Sequence, residues 1–333
     1  MSMSSRREFL KNSGAFALSG LLVPAFARAS SLTGLLASAP IGLQLYTITR
    51  LMADDPKGTL QKVAAIGYKE IETAGGLKEG YYGFKAKEFK SIVEDLGMKW
   101  RAHHAGGAPF RPRVPPSVGG APVGATPPSA GAPPVNADRQ ALFAAMAKRP
   151  NLRDNYQQLV DEAAEGGLSY LVCASTPVST VDEINKSIEV FQKTGEACKK
   201  AGIAFAYHNH ATEFDPVDGA GATAAKTPYE LILSQTDKEL VKMELDLAWA
   251  TKAGKDPVAL FKEQPGRFPL WHIKDIKQDL KTITEVGNGV VDFKRIFTAA
   301  KTAGLKYYFV EQDGATGVEN ISTSYQNLAK VLA

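Results

Sequence analysis

At 333 residues, with 44% hydrophobic and 22% charged residues, the chain can bury a large core and has neither a disordered nor a fibrous composition. Its formal charge of +4 overstates its basicity, because Arg6, Arg7, Lys11 and Arg28 against Glu8 place +3 of it near the N-terminus and leave the rest about +1. So balanced a chain lacks the concentrated basic surface that a phosphate backbone requires, which argues against nucleic acid as its partner.

The first stretch reads as an address. Ser5-Arg6-Arg7-Glu8-Phe9-Leu10-Lys11 fits the twin-arginine export pattern, an apolar run follows from Ala15 to Phe26, and Ala27-Arg28-Ala29 supplies a small-x-small cleavage site. Residues 1–29 are therefore expected to be a signal, with the mature chain starting near Ser30 and working in the periplasm or outside the cell. The apolar run is too short to span a bilayer, so no stable membrane anchor is expected. Export of folded proteins by this route commonly accompanies a cofactor or metal loaded in the cytoplasm. Cys173 and Cys198 are the only thiols; one falls in a predicted strand and the other inside a predicted helix, so free buried thiols are expected over a disulfide.

From residue 38 onward one strand-helix pattern repeats eight times. The predicted strands are Ile41 to Thr47, Tyr68 to Thr73, Met98 to His104, Ser169 to Ala174, Ala204 to His210, Val241 to Asp246, Pro269 to Lys274 and Tyr307 to Gln312. Helix starts are marked by Asp55-Pro56, by Thr227-Pro228 with Glu230, and by Asp256-Pro257, where a capping oxygen precedes a proline suited to the first turn. Thr180 with Glu183 has the spacing of a capping box, and Asp292 is placed to cap a helix running to Ala303. Glycines 67, 97, 202 and 304 mark helix ends. Eight alternating units predict an α/β fold, a single (β/α)8 TIM barrel. Residues 105–150 break the pattern with a Gly/Pro-rich insertion after the third strand, interrupted by a short helical piece near Asp138 to Ala147. That insertion is read as extended and without part in the chemistry; a lid or partner surface is the other reading.

Chemistry-bearing side chains gather at the C-terminal ends of four strands. In an extended chain alternate residues share a face, so His272 and Lys274 of PLWHIKDI point one way and Trp271 and Asp275 the other. YHNH (Tyr207 to His210), MELD (Met243 to Asp246) and FVEQD (Phe309 to Asp313) end in acids or histidines at the same spacing. In a barrel these ends meet at the C-terminal mouth, where Asp246, His272 and Glu311, with His208 or His210 from the fifth strand, would hold one divalent ion: Mn²⁺, Zn²⁺, Co²⁺ or Mg²⁺. No thiolate is present to make a closed structural zinc site. Glu244, Lys274 and Asp313 share the inward phase, and buried ion pairing is the alternative role for all these groups.

These motifs carry a resemblance. GLQLYT near the start, YHNH, ELD followed by Trp249, HIKD, GNGVVDF (Gly287 to Phe293) and the terminal VEQD resemble the xylose isomerase-like TIM barrel superfamily, the sugar phosphate isomerases and epimerases. The resemblance implies one ion held by Glu, Asp, His and Glu from strands five to eight. Asp246, His272 and Glu311 match the last three places; the first is occupied by His208, with Glu213 in the following loop as the other candidate. It also implies a sugar isomerase or epimerase acting by proton abstraction next to a carbonyl, through an enediolate that the ion stabilises. His210 and Glu213 are the candidate bases, and Lys274 would meet the developing oxyanion or leaving group. Gln44, Glu72, His103, His104 and Trp249 are candidates for sugar hydroxyls. Phosphorylated sugars are scarce outside the cytoplasm, so a free sugar or glycoside is the expected substrate. A lyase eliminating from a keto-glycoside and a non-catalytic sugar-binding barrel are the alternatives. A DNA-repair endonuclease on the same barrel fits poorly with only five histidines and no basic groove. The sequence is compatible with a homo-oligomer.

Overall fold

A computed structural model of the chain describes residues 39–76, 78–109, 147–217 and 226–333; the expected signal, most of the insertion and all but the last residue of its expected helical piece lie outside these. Residues Pro40–Val331 form one compact unit. Its eight parallel strands close into a barrel: β1 (Gly42–Gln44), β2 (Glu70–Ala74), β3 (Lys99–Gly106), β4 (Tyr170–Ser175), β5 (Ala204–His208), β6 (Val241–Asp246), β7 (Leu270–Ile273) and β8 (Tyr307–Val310). Neighbours in space are neighbours in sequence, and β1 closes the ring against β8 through the pairs Gly42 with Phe309 and Leu43 with Val310.

Capping chemistry explains most helix starts. Asp55 accepts from Gly58 N at 3.0 Å, and Thr227 and Glu230 form a reciprocal capping box. Thr180 accepts from Glu183 N as expected, but the Glu183 carboxylate turns to Ser179 N, so that box is incomplete. After Asp292 the expected single helix is split into Phe293–Phe297 and Ala300–Ala303, because Ala299 leaves the helical region (φ −95°, ψ 5°). Gly304 then closes the second piece at φ 78°, a left-handed value that favours glycine.

The expected first strand is cut short for a local reason. The Gln44 side chain accepts from Tyr46 N at 3.0 Å and turns Leu45–Ile48 into a 3₁₀ segment, which leaves Tyr46 51% exposed at the barrel mouth. At the other end of the strand series, β3 extends to Gly106, so Ala105 and Gly106 belong to the sheet and not to the insertion.

Alternation sorts the strands into an apolar exterior and a layered interior. Trp271 points outward, stacked 4.8 Å from Phe261 on the helix that follows β6, with Phe297 on the helix after β7 tilted against it at 5.4 Å. Inside, Ala102, Val172, Ala206, Leu270 and Phe309 form a fully buried apolar floor. Two residues further along the strands the interior becomes polar, with His104, His208, His272 and Glu311; Glu244 is buried among them, and Asp246 and Lys274 follow two residues beyond Glu244 and His272. The N-terminal half of the barrel is thus ordinary core and the C-terminal half is where charge collects. Among the described residues no helix is long and apolar enough to cross a membrane. Cys173 and Cys198 are free and buried.

The GNGVVDF motif is tied to β7 by Asp275. Its carboxylate accepts from the backbone N–H groups of Ile276, Gly287, Gly289 and Val291 at 2.9 to 3.1 Å. Gly289 is required there, since a side-chain carbon would collide with that carboxylate and with the Ile276 carbonyl. Replacing Asp275 by Ala strands four backbone donors, two of them in the buried residues Ile276 and Val291, and is expected to cost about 3 kcal/mol. A thermal melt of the variant that matches wild type would refute this role.

Candidate metal centre

The polar half of the barrel opens into a cavity of about 1570 Å³ whose wall includes Tyr46, His104, His208, His210, Lys274 and Glu311. At its base two groups of ligand-type atoms lie within 4.8 Å of one another: His208, Asp246, His272 and Glu311, and His104, His208, Glu244 and His272. All six of these side chains are buried.

Each is set by its strand. His208 ends β5 and Asp246 ends β6, where Asn209 Oδ1 accepts from Asp246 N at 3.2 Å and fixes the two strand ends together. Asp246 also caps the helix Leu247–Lys252, its Oδ1 accepting from Trp249 N at 2.9 Å, so only Oδ2 faces the interior cations. His272 sits between acids: Nδ1 is 2.7 Å from Glu311 Oε2, and Nε2 is 2.6 Å from Glu72 Oε2 and 3.2 Å from Glu244 Oε2. Lys274, 2% exposed, lies 2.7 Å from Glu311, 2.8 Å from Asp313 and 3.0 Å from Asp246.

Electrostatics follow from that arrangement. Burial works against a charged Lys274, but Asp246, Glu311 and Asp313 outweigh it and hold the ammonium well above its ordinary pKa. Burial likewise opposes charge on His272, and Glu244, Glu311 and Glu72 reverse the balance and raise it. Burial and the nearby Glu244 lift Glu72 to about 7. His208 goes the other way: burial first, then the His272 charge, keeps its imidazole neutral, and its Nδ1 has no hydrogen-bond partner. A neutral buried imidazole with a free nitrogen, among carboxylates, is a donor set that suits a divalent ion.

The structure separates the remaining expected site residues. His210 lines the cavity with its side chain 45% exposed and its Nδ1 3.6 Å from Glu213. Glu213 does not reach the ligand cluster. Its carboxylate is held behind β5 by Tyr207 Oη at 3.0 Å and by His210 N and Thr212 Oγ1 at 3.1 Å, because the 3₁₀ turn Thr212–Phe214 folds it back. Gln44 and Glu72 are fully buried and do not line the cavity; Glu72 serves His272 instead of a sugar hydroxyl. His103 and His104 part company by phase. His104 points inward with Ala102, whereas His103 bonds Thr73 Oγ1 at 2.8 Å and lies edge-on to Tyr81, with burial and then His104 lowering its pKa to about 3. Trp249 stands with its ring 5.0 Å from the Lys274 ammonium. Tyr46 is a cavity residue that is not among the sequence candidates; it shares the phase of Gln44, and the turn at Gln44 brings it exposed to the mouth.

Residues 60–330 match the xylose isomerase-like TIM barrel family. The chain belongs to that family. Two solved structures of a sugar phosphate isomerase/epimerase, both from Parabacteroides distasonis ATCC 8503, are similar along most of its length. One is 28% identical with a TM-score of 0.65, covering 87% of this chain and 93% of that one. The other is 26% identical with a TM-score of 0.66, covering 87% and 98%. An inosose dehydratase of Bacillus cereus (strain AH820) is 27% identical over 159 residues, 42% of this chain and 51% of that protein. The chain thus spans about half the length of the curated relatives it matches. The two Parabacteroides structures and the dehydratase carry names from two reaction classes, isomerisation and dehydration.

Proposed function

We propose that this barrel is a metal-dependent enzyme that abstracts a proton next to a sugar carbonyl, most simply as an isomerase or epimerase of a non-phosphorylated sugar. The observation that carries the reading is the convergence of His208, Asp246, His272 and Glu311 under a cavity that also presents His210 and Lys274. When bound by those four residues, a divalent ion supplies Lewis acidity to the sugar carbonyl oxygen. His210, oriented by the buried Glu213, is the group exposed enough to take a proton from the neighbouring carbon. Lys274 keeps a fixed positive charge facing the cavity and lowers the cost of charge building on the substrate oxygen. Tyr46 offers an exposed aromatic face at the mouth for a sugar ring.

One observation favours a second reading. A single exposed base with a lysine nearby suffices for elimination, and the inosose dehydratase relatives are lyases by name, so dehydration of a keto-sugar or elimination from a keto-glycoside is the alternative. The twin-arginine pattern at Ser5 to Lys11 supports substrates found outside the cytoplasm. Both readings predict solvent deuterium entering the carbon next to a carbonyl when keto-sugars are offered. An isomerised product of equal mass supports the first, and an unsaturated or dehydrated product supports the second. No exchange with any keto-sugar tried would leave a sugar-binding barrel.

Chelation gives a test independent of substrate. At an ion concentration 100-fold above Kd the bound ion stabilises by about 2.7 kcal/mol, so its removal is expected to lower the melting midpoint by roughly 5–10 °C. A midpoint unchanged by chelator and by added Mn²⁺ or Zn²⁺ would count against the ion.

A further inference from the structure

The Glu244 carboxylate is crowded in a way that ion pairing alone does not explain. Its Oε2 lies 2.6 Å from His104 Nε2, 3.2 Å from His208 Nδ1 and 3.2 Å from His272 Nε2. Three imidazoles from β3, β5 and β7 therefore converge on one oxygen, which has two lone pairs to offer. One of the three nitrogens, His208 Nδ1, is left without a hydrogen bond, as is Glu244 Oε1, and both residues are at least nine-tenths buried. Unsatisfied polar atoms at that depth are costly unless something joins them.

The group above it is differently equipped. There the Lys274 ammonium already lies between the two carboxylates, 3.0 Å from Asp246 and 2.7 Å from Glu311. An ion among His208, Asp246, His272 and Glu311 shares those acids with a lysine, whereas an ion among His104, His208, Glu244 and His272 does not. The upper group offers two nitrogens and two oxygens, the lower three nitrogens and one oxygen, and the two share His208 and His272.

We propose that the barrel contains a second, nitrogen-rich cation seat formed by His104, His208, Glu244 and His272, which overlaps the upper one so that one ion occupies one seat at a time. Ligand chemistry decides the occupant: imidazole suits Zn²⁺ and Co²⁺, while Mn²⁺ and Mg²⁺ prefer the oxygen-richer upper seat. The inference rests on the metal reading of this site and adds His104 and Glu244 to the residues that hold an ion. Zinc in the lower seat leaves Lys274 its carboxylate partners.

The test uses the whole mature chain, stripped with chelator and loaded with Zn²⁺ alone or Mn²⁺ alone, in wild type, His104→Ala, Glu244→Gln and Asp246→Asn. Ion affinity is measured by competition titration, and the loaded wild-type crystals are measured at the zinc and manganese absorption edges. Zinc affinity is expected to fall at least about 10-fold in His104→Ala and Glu244→Gln but little in Asp246→Asn, with the manganese pattern reversed. The zinc peak should lie beside His104 and Glu244. His104→Gln, closer in size, replaces the alanine variant should that fail to fold. Zinc loss confined to Asp246→Asn, with the zinc peak beside Asp246 and Glu311, would overturn the lower seat and keep the metal reading. A wild-type chain that binds neither ion would overturn both.

Discussion

Lys274→Met is expected to reduce turnover by about 100- to 10,000-fold while the chain still retains its ion. Methionine keeps the length of the side chain but removes the positive charge that lies within 3.0 Å of Asp246, Glu311 and Asp313. Breaking a buried ion pair by deleting one partner costs about 3–5 kcal/mol, so the variant should also melt earlier. Ion content, melting midpoint and the rate of solvent deuterium uptake, measured on one preparation, separate the two effects. Wild-type deuterium uptake in a folded, ion-loaded variant would remove Lys274 from the chemistry.

His272→Ala is expected to have the larger effect on the ion, taking content from about one per chain to near zero. This imidazole belongs to both groups of candidate ligands and contacts Glu72, Glu244 and Glu311. Its loss removes a ligand from either seat and leaves three buried acids facing one another. Mass spectrometry of protein purified without chelator measures the ratio. A ratio that survives in His272→Ala would place the ion elsewhere.

How legible this site is in the sequence depends on which coordinate a residue's role uses. Strand phase is local, and the β6 strand runs over Val241–Asp246 as expected, with Asp246, His272 and Glu311 facing inward at their strand ends. Depth and return path are not local. Glu72 and His104 share the inward phase with the ligands, but only the stagger of a closed barrel brings them across the interior to His272 and Glu244. Glu213 looked free to swing into the site, and the turn that presses it against Tyr207 depends on a tyrosine six residues earlier. The His103-His104 pair shows both cases in two adjacent residues. Their phase was readable from the small inward Ala102, whereas their partners Thr73 and Glu244 come from other strands.

Asp275 draws its bonds from four peptide N–H groups and, among the described residues, forms no ion pair with a lysine or arginine. It sits one residue from Lys274 and would otherwise compete for that ammonium, yet it faces the opposite side of β7 and is served there by dipoles that carry no net charge. The motif HIKD thus works as a partition: the cationic side chains on one face answer only to acids inside the barrel, while the acid on the other face anchors a loop. A loop held by dipoles also gives the same grip at high ionic strength as at low, so salt that weakens the exposed Asp256–Arg295 bridge leaves this loop in place.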